Sequence, residues 1–214
     1  MRYQLRQLWT DNKGYFYIAG LLLIGGAFFG FLQMGQVEQI AKNMLSQIQE
    51  IADRIQESGG STAVTFWAIF KNNVFSSLTM MIFGLVFAIF PIFGLLSNGV
   101  LLGFIFGQLA AAGGNPLLVF AVGILPHGIF ELPAVVFSAG IGIRYGATVL
   151  RSIKGLWNAG ARGEIKEDWR QLVKQFPVAA ISVIVVLFVA AIVESAITPL
   201  LIQSVVGGRI GLTE

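Results

Sequence analysis

Long apolar stretches separated by short polar intervals dominate the chain. Five of them, residues 15–34, 67–90, 93–112, 117–143 and 178–203, are long enough to cross a hydrocarbon layer about 30 Å thick as helices. Between the first and second lies a segment of different character, residues 36–60. There Val37, Ile40, Met44, Ile48, Ile51 and Ile55 recur at three- and four-residue spacing, while Glu38, Glu50, Asp53 and Glu57 occupy the other face. This pattern predicts an amphipathic helix ended by Gly59-Gly60. Its acidic face argues against anionic lipid head groups. Two roles stay open: packing on the ends of its own bundle, or docking an extracytoplasmic partner or a second copy of the chain.

The remaining polar intervals are short. The second and third stretches are separated by little more than Pro91, which predicts a tight helical hairpin, and Gly113-Gly114-Asn115-Pro116 predicts another turn before the fourth. Residues 144–177 mix seven basic side chains with Leu150, Ile153, Trp157, Ile165, Trp169, Leu172 and Phe176. Tryptophan and basic residues on amphipathic turns belong at a membrane surface, so this segment is expected along the inner leaflet or as an extension of the fourth span. The expected fold is therefore all-α: one membrane domain over 1–214, a polytopic bundle of five transmembrane helices with an external amphipathic helix between the first two. No internal repeat supports an inverted-repeat transporter.

Composition agrees. Of 214 residues, 56% are hydrophobic and 12% charged, against roughly 25% charged in a soluble domain, so much of the apolar surface must face lipid. The first stretch follows Arg2, Arg6 and Lys13 but is long for a signal sequence and lacks a convincing small-x-small cleavage site, so it reads as a retained helix. Cysteine is absent, which removes disulfides and thiolate chemistry. The net charge of +3 makes no case for nucleic acid, but its distribution sets an orientation. With the amino terminus inside, the cytoplasmic side holds Arg2, Arg6, Lys13, Arg144, Arg151, Lys154, Arg162, Lys166, Arg170 and Lys174; the outside holds Lys42, Arg54, Lys71 and Arg209. That asymmetry predicts a multi-pass protein of the cytoplasmic membrane with its carboxyl terminus outside.

Polar side chains inside spans raise a functional hypothesis because hydrocarbon penalises them. The fourth span carries the densest set, Pro126-His127-Gly128-Ile129-Phe130-Glu131-Leu132-Pro133. His127 and Glu131 share a helix face at four-residue spacing. Pro126 and Pro133 each remove a backbone donor and Gly128 permits close approach, so this span is expected to be kinked or interrupted. Glu194, Ser195 and Thr198 lie in the last span, Asn72 and Asn73 in the second and Asn98 in the third. Such residues either satisfy one another as a buried polar cluster or carry protons, bind a cation or hold a polar head group. Two ligands on one helix, His127 and Glu131, do not make a zinc site, so no metal is assigned. A membrane zinc protease would need HExxH, and the chain has one histidine. A dyad of His127 with Ser138, Ser182 or Ser195 has no nucleophile motif behind it, and neither a Walker motif nor a dinucleotide fingerprint is present. The expectation is a non-enzyme with no cofactor and no catalytic residue.

At these residues the chain resembles the stage II sporulation protein M family of bacterial and archaeal multipass membrane proteins. The resemblance is carried by Lys71-Asn72-Asn73, Asn98-Gly99 with Gly103, Pro126-His127-Gly128 followed by Glu131-Leu132-Pro133-Ala134, Gly142 with Arg144, and Glu194 with Thr198-Pro199. It runs from about residue 66 to 199. It implies a membrane scaffold that positions extracytoplasmic enzymes of peptidoglycan remodelling, as in the engulfment step of spore formers, although family members also occur where no spores are made. Two readings follow. One is a scaffold of the cell envelope with protein partners and the lipid bilayer around it. The other is a transporter, channel or lipid-handling protein that uses the intramembrane His/Glu/Asn cluster. Glycine-rich spans offer surfaces for a homo-oligomer under either.

Overall fold

The computed structural model describes residues 2–113, 115–157 and 159–204, and every regular element among them is helical. The elements are α1 (Arg2–Leu32), α2 (Met34–Glu57), α3 (Thr62–Phe83), α4 (Ile89–Ala111), α5 (Pro116–Val119), α6 (Leu125–Gly155), α7 (Arg162–Ile192) and α8 (Thr198–Ile202). Two π-helical turns, Phe120–Ile124 and Val193–Ile197, join α5 to α6 and α7 to α8. Among the described residues four helical runs are long and apolar enough to cross a membrane: Tyr3–Leu32, Ile89–Ala111, Pro116–Gly155 and Arg162–Ile202. The 22-residue α3 has the length, but Lys71, Asn72, Asn73, Ser76 and Ser77 dilute its apolar character. Arg209, assigned above to the outer side, and Gly114 of the second turn lie outside the described residues.

Local chemistry sets several of the helix ends. Gly59 and Gly60 both take positive φ (97° and 59°), where a Cβ would be strained, and so terminate α2. Ser61 caps α3 by accepting a hydrogen bond from the Val64 amide at 3.3 Å. Asn115 does the same for α5 at 3.1 Å from the Leu118 amide, with Pro116 in the first helical position where no donor is missed.

The break between α3 and α4 falls earlier than Pro91. The chain turns at residues 84–88, and Pro91 sits in the first turn of α4, where its missing amide costs nothing. Phe87 and Ala88 adopt positive φ (51° and 61°) to make this turn. The turn is held by packing: a Cβ on Gly84 would overlap the backbone of Gly142 in α6, so the two glycines let the chain segments touch directly.

A second close seam joins α1 to α4. Gly30 lies against the backbone of Val100, and Gly103 against that of Ala27, so that neither tolerates a side chain. Gly25, on the same helix as Gly30, faces open space. The main core collects Leu8, Phe16, Met81, Ile141, Tyr145, Leu172, Val183 and Leu187 from α1, α3, α6 and α7. Tyr17, Leu21, Phe28, Leu32, Phe75, Phe93, Ile181 and Val185 remain exposed around the outside, the arrangement expected where lipid replaces water.

The amphipathic segment forms α2 and folds back on its own chain. Val37 and Ala41 are buried against Phe104 of α4, with Leu45, Val100 and Leu101 packed around them. The basic segment 144–177 is not one surface helix. Its first part continues α6 to Gly155 and the remainder begins α7, and Arg151–Asp168 (2.8 Å) and Trp169 Nε1 to Ser152 Oγ (2.9 Å) tie the two together.

Candidate functional site

Pro126 and Pro199 explain why the polar residues of α6 and the last helix meet where they do. A proline inside a helix clashes with the carbonyl four residues earlier; those positions are Val122 and Ser195, and each falls inside a π-helical turn. The wider turn relieves the clash, and such turns are common at functional sites. One leads into His127 and Glu131; the other carries Glu194 and leads to Thr198.

The result is a convergence of side chains from distant parts of the chain. His127 Nε2 lies 4.0 Å from Glu131 Oε2, and its Nδ1 lies 3.4 Å from Thr198 Oγ1. The Thr198 hydroxyl itself donates to the Val193 carbonyl at 3.3 Å. One ligand atom from each of His127, Glu131 and Glu194 falls within 4.8 Å of the others. Glu194 Oε2 is buried and makes no hydrogen bond among the described residues. A buried carboxylate oxygen without a donor is costly, so its retention asks for an explanation.

A cavity of about 330 Å³ reaches this cluster. Asn72 and Asn73 of α3, Asn98 of α4, Glu131 of α6 and Glu194 supply its polar lining, and Met44, Gln47, Ile48 and Ile51 of α2 form another wall. Of the eight polar positions marked in the sequence, five line the cavity; His127 and Thr198 adjoin it through Glu131 and the imidazole ring, and Ser195 does not line it. Asn98 donates to the Gly94 carbonyl at 2.8 Å and Asn72 to Asn73 Oδ1 at 3.4 Å. Pro126 and Gly128 flank His127, and Pro133 follows within α6, two residues past Glu131. Gln47 and the α2 wall were not marked in the sequence as part of this site; only the helical period of residues 36–60 hinted that α2 would cover something. Among the described residues no serine bonds to His127: Ser182 donates to the Val178 carbonyl and Ser195 to that of Ile192.

A second polar cluster was missed altogether. Arg144 read as a surface cation, yet it is 4% exposed. Its Nη1 donates to Asn12 Oδ1 (2.9 Å) and Gln175 Oε1 (3.0 Å), and its Nη2 to Gln171 Oε1 (3.3 Å). Asn12, fully buried, donates in turn to the Leu8 carbonyl (2.6 Å) and Gln175 Oε1 (3.1 Å), while Gln175 donates to Asp11 (2.7 Å). The network pins α1, α6 and α7 together.

Comparison with known proteins places these positions in a family. Two uncharacterized proteins of Methanocaldococcus jannaschii are similar to the chain. One is 28% identical over 176 residues, covering 81% of this chain and 88% of the relative. The other is 25% identical over 182 residues, covering 83% and 73%. No solved structure matches. The family described as Stage II sporulation protein M matches residues 19–199, a range that contains every residue of the cavity cluster as well as Arg144, Gln171 and Gln175. The chain belongs to the stage II sporulation protein M family, and it is a membrane protein.

Proposed function

We propose that this protein handles a small polar solute inside the membrane, as a transporter, channel or lipid-handling protein. The observation that carries the reading is the cavity of about 330 Å³ that runs beneath α2 to Asn72, Asn73, Asn98, Glu131 and Glu194. A cluster kept only for shape would close on itself, since each unmet polar group in hydrocarbon costs free energy. In this reading α3 serves as the second of five spans, the fourth is kinked about Pro126, Gly128 and Pro133, and the amino terminus is cytoplasmic, with α2 as an external lid.

The cysteine-free chain makes the test direct. Asn98→Cys and Asn72→Cys, in protein reconstituted into lipid, are expected to react with a charged, water-soluble thiol reagent, while Ala134→Cys, at a position 4% exposed, stays unmodified. A folded Asn98→Cys protein that reacts only after denaturation would overturn the reading.

A scaffold role for envelope or peptidoglycan-remodelling partners has its own support in α2. Ile40 and Ile48 are 57% and 51% exposed beside the ion pairs Glu38–Lys42 and Glu50–Arg54, which gives this helix a mixed face that a protein partner can cover. Substitution of Ile40 by Lys would then abolish partner capture and leave cavity labelling unchanged.

A further inference from the structure

The donor set around the cavity floor is more specific than a polar solute requires. His127, Glu131 and Glu194 come from two separate helical runs, and their donor atoms converge within 4.8 Å. The hydrogen-bond directions match one tautomer of the ring. Thr198 spends its hydroxyl proton on the Val193 carbonyl, so toward His127 it presents a lone pair. In the tautomer that matches this lone pair, Nδ1 carries the proton and an unprotonated Nε2 faces Glu131. A second partner that holds one ring nitrogen and frees the other is the usual arrangement around metal-binding histidines.

Charge points the same way. Two carboxylates share this site, and among the described residues no lysine or arginine pairs with either. Glu194 Oε2 is buried without a donor. A single dication would balance both carboxylates, complete the open oxygen and occupy the free Nε2.

We propose that His127, Glu131 and Glu194 bind one divalent first-row transition-metal ion at the floor of the cavity. One imidazole with two carboxylates is a donor set of intermediate hardness, suited to such ions rather than to soft monovalent copper. Metal–nitrogen and metal–oxygen bonds of about 2.0–2.2 Å put ligand atoms roughly 3–3.5 Å apart in a tetrahedral site. The present separations, 4.0 Å for His127 and Glu131 and at most 4.8 Å within the trio, close to that value by side-chain adjustment. The amides of Asn73 and Asn98 line the approach and can relay the ion from water. This inference rests on the cavity being a binding site and names its ligand.

The test uses the full-length protein in lipid nanodiscs, stripped with a chelator and titrated with Co²⁺. One equivalent is expected, with visible d–d absorbance that Zn²⁺ abolishes in competition. Glu194→Gln and His127→Gln are each expected to weaken Co²⁺ binding at least about tenfold, and Thr198→Val, which only frees the ring, by about tenfold. Thr198→Val also stands in should either ligand variant fail to give monodisperse protein. Stoichiometric Co²⁺ that survives both ligand substitutions would overturn the assignment, because the ion would then sit elsewhere. Absence of binding in protein whose Asn98→Cys variant reacts with the thiol reagent would overturn the metal and leave the cavity. Absence of both would overturn the two together.

Discussion

The two polar clusters of this protein are built from similar side chains and behave in opposite ways. Around Arg144 the donors and acceptors answer one another: a buried guanidinium meets the amide oxygens of Asn12, Gln171 and Gln175, and the amide groups of Asn12 and Gln175 find a carbonyl or Asp11. Around Glu131 the account is left open, with a buried carboxylate oxygen on Glu194 unmet and a cavity of about 330 Å³ alongside. A closed network specifies how helices pack; an open one holds polar groups ready for something that arrives later. The contrast sets a satisfied polar network beside an unsatisfied one within one membrane bundle.

The contrast breaks first at Arg144. Replacing it by Met leaves three buried or half-buried amide groups without their partner and should lower stability by about 2–3 kcal/mol, read as an earlier thermal unfolding transition in detergent. An unfolding temperature unchanged in this variant would show that the cluster is not what holds α1, α6 and α7. Asn12→Leu, which removes one member of the same network, should cost about 1–2 kcal/mol by the same measurement. Glu194→Leu should reverse the sign. With the unmet carboxylate gone, the variant gains up to about 1 kcal/mol while it loses Co²⁺ binding; a loss of stability comparable to that of Arg144→Met would mean that the cavity cluster is structural after all. The smallest effect on stability is expected for Glu131→Gln, within about 0.5 kcal/mol, since the amide keeps the shape. A scaffold would tolerate that variant and a solute-handling protein would not, so complementation by well-folded Glu131→Gln decides between them.

Much of this was legible in the residues. The apolar runs marked the helices, the three- and four-residue spacing of Val37 to Ile55 marked an amphipathic α2, and His127 and Glu131 announced a shared face through their separation alone. Glu194 is 63 positions beyond Glu131, and nothing local says that the two approach; only the fold supplies that distance. Arg144 was misread because a basic residue after an apolar run looks the same whether it faces water or a nest of amides. Its partners Asn12, Gln171 and Gln175 are ordinary polar residues within basic stretches. The turn at 84–88 escaped notice because Leu85, Val86, Phe87 and Ala88 carry no turn signature, and it forms through tertiary packing on Gly142 and Gly146 instead of through local propensity.

The π-helical turn at Val193–Ile197 has a consequence in angular phase. An α-helix advances about 100° per residue, so one extra residue in a turn rotates everything beyond it by that angle relative to the helix before it. Deleting a single residue from this turn would restore the common period and swing Thr198 away from His127 by roughly a quarter of a revolution. The lipid-facing stripe of α7 and the cavity-facing residues that follow it thus belong to two different phases of one helix, and the site exists at the offset between them.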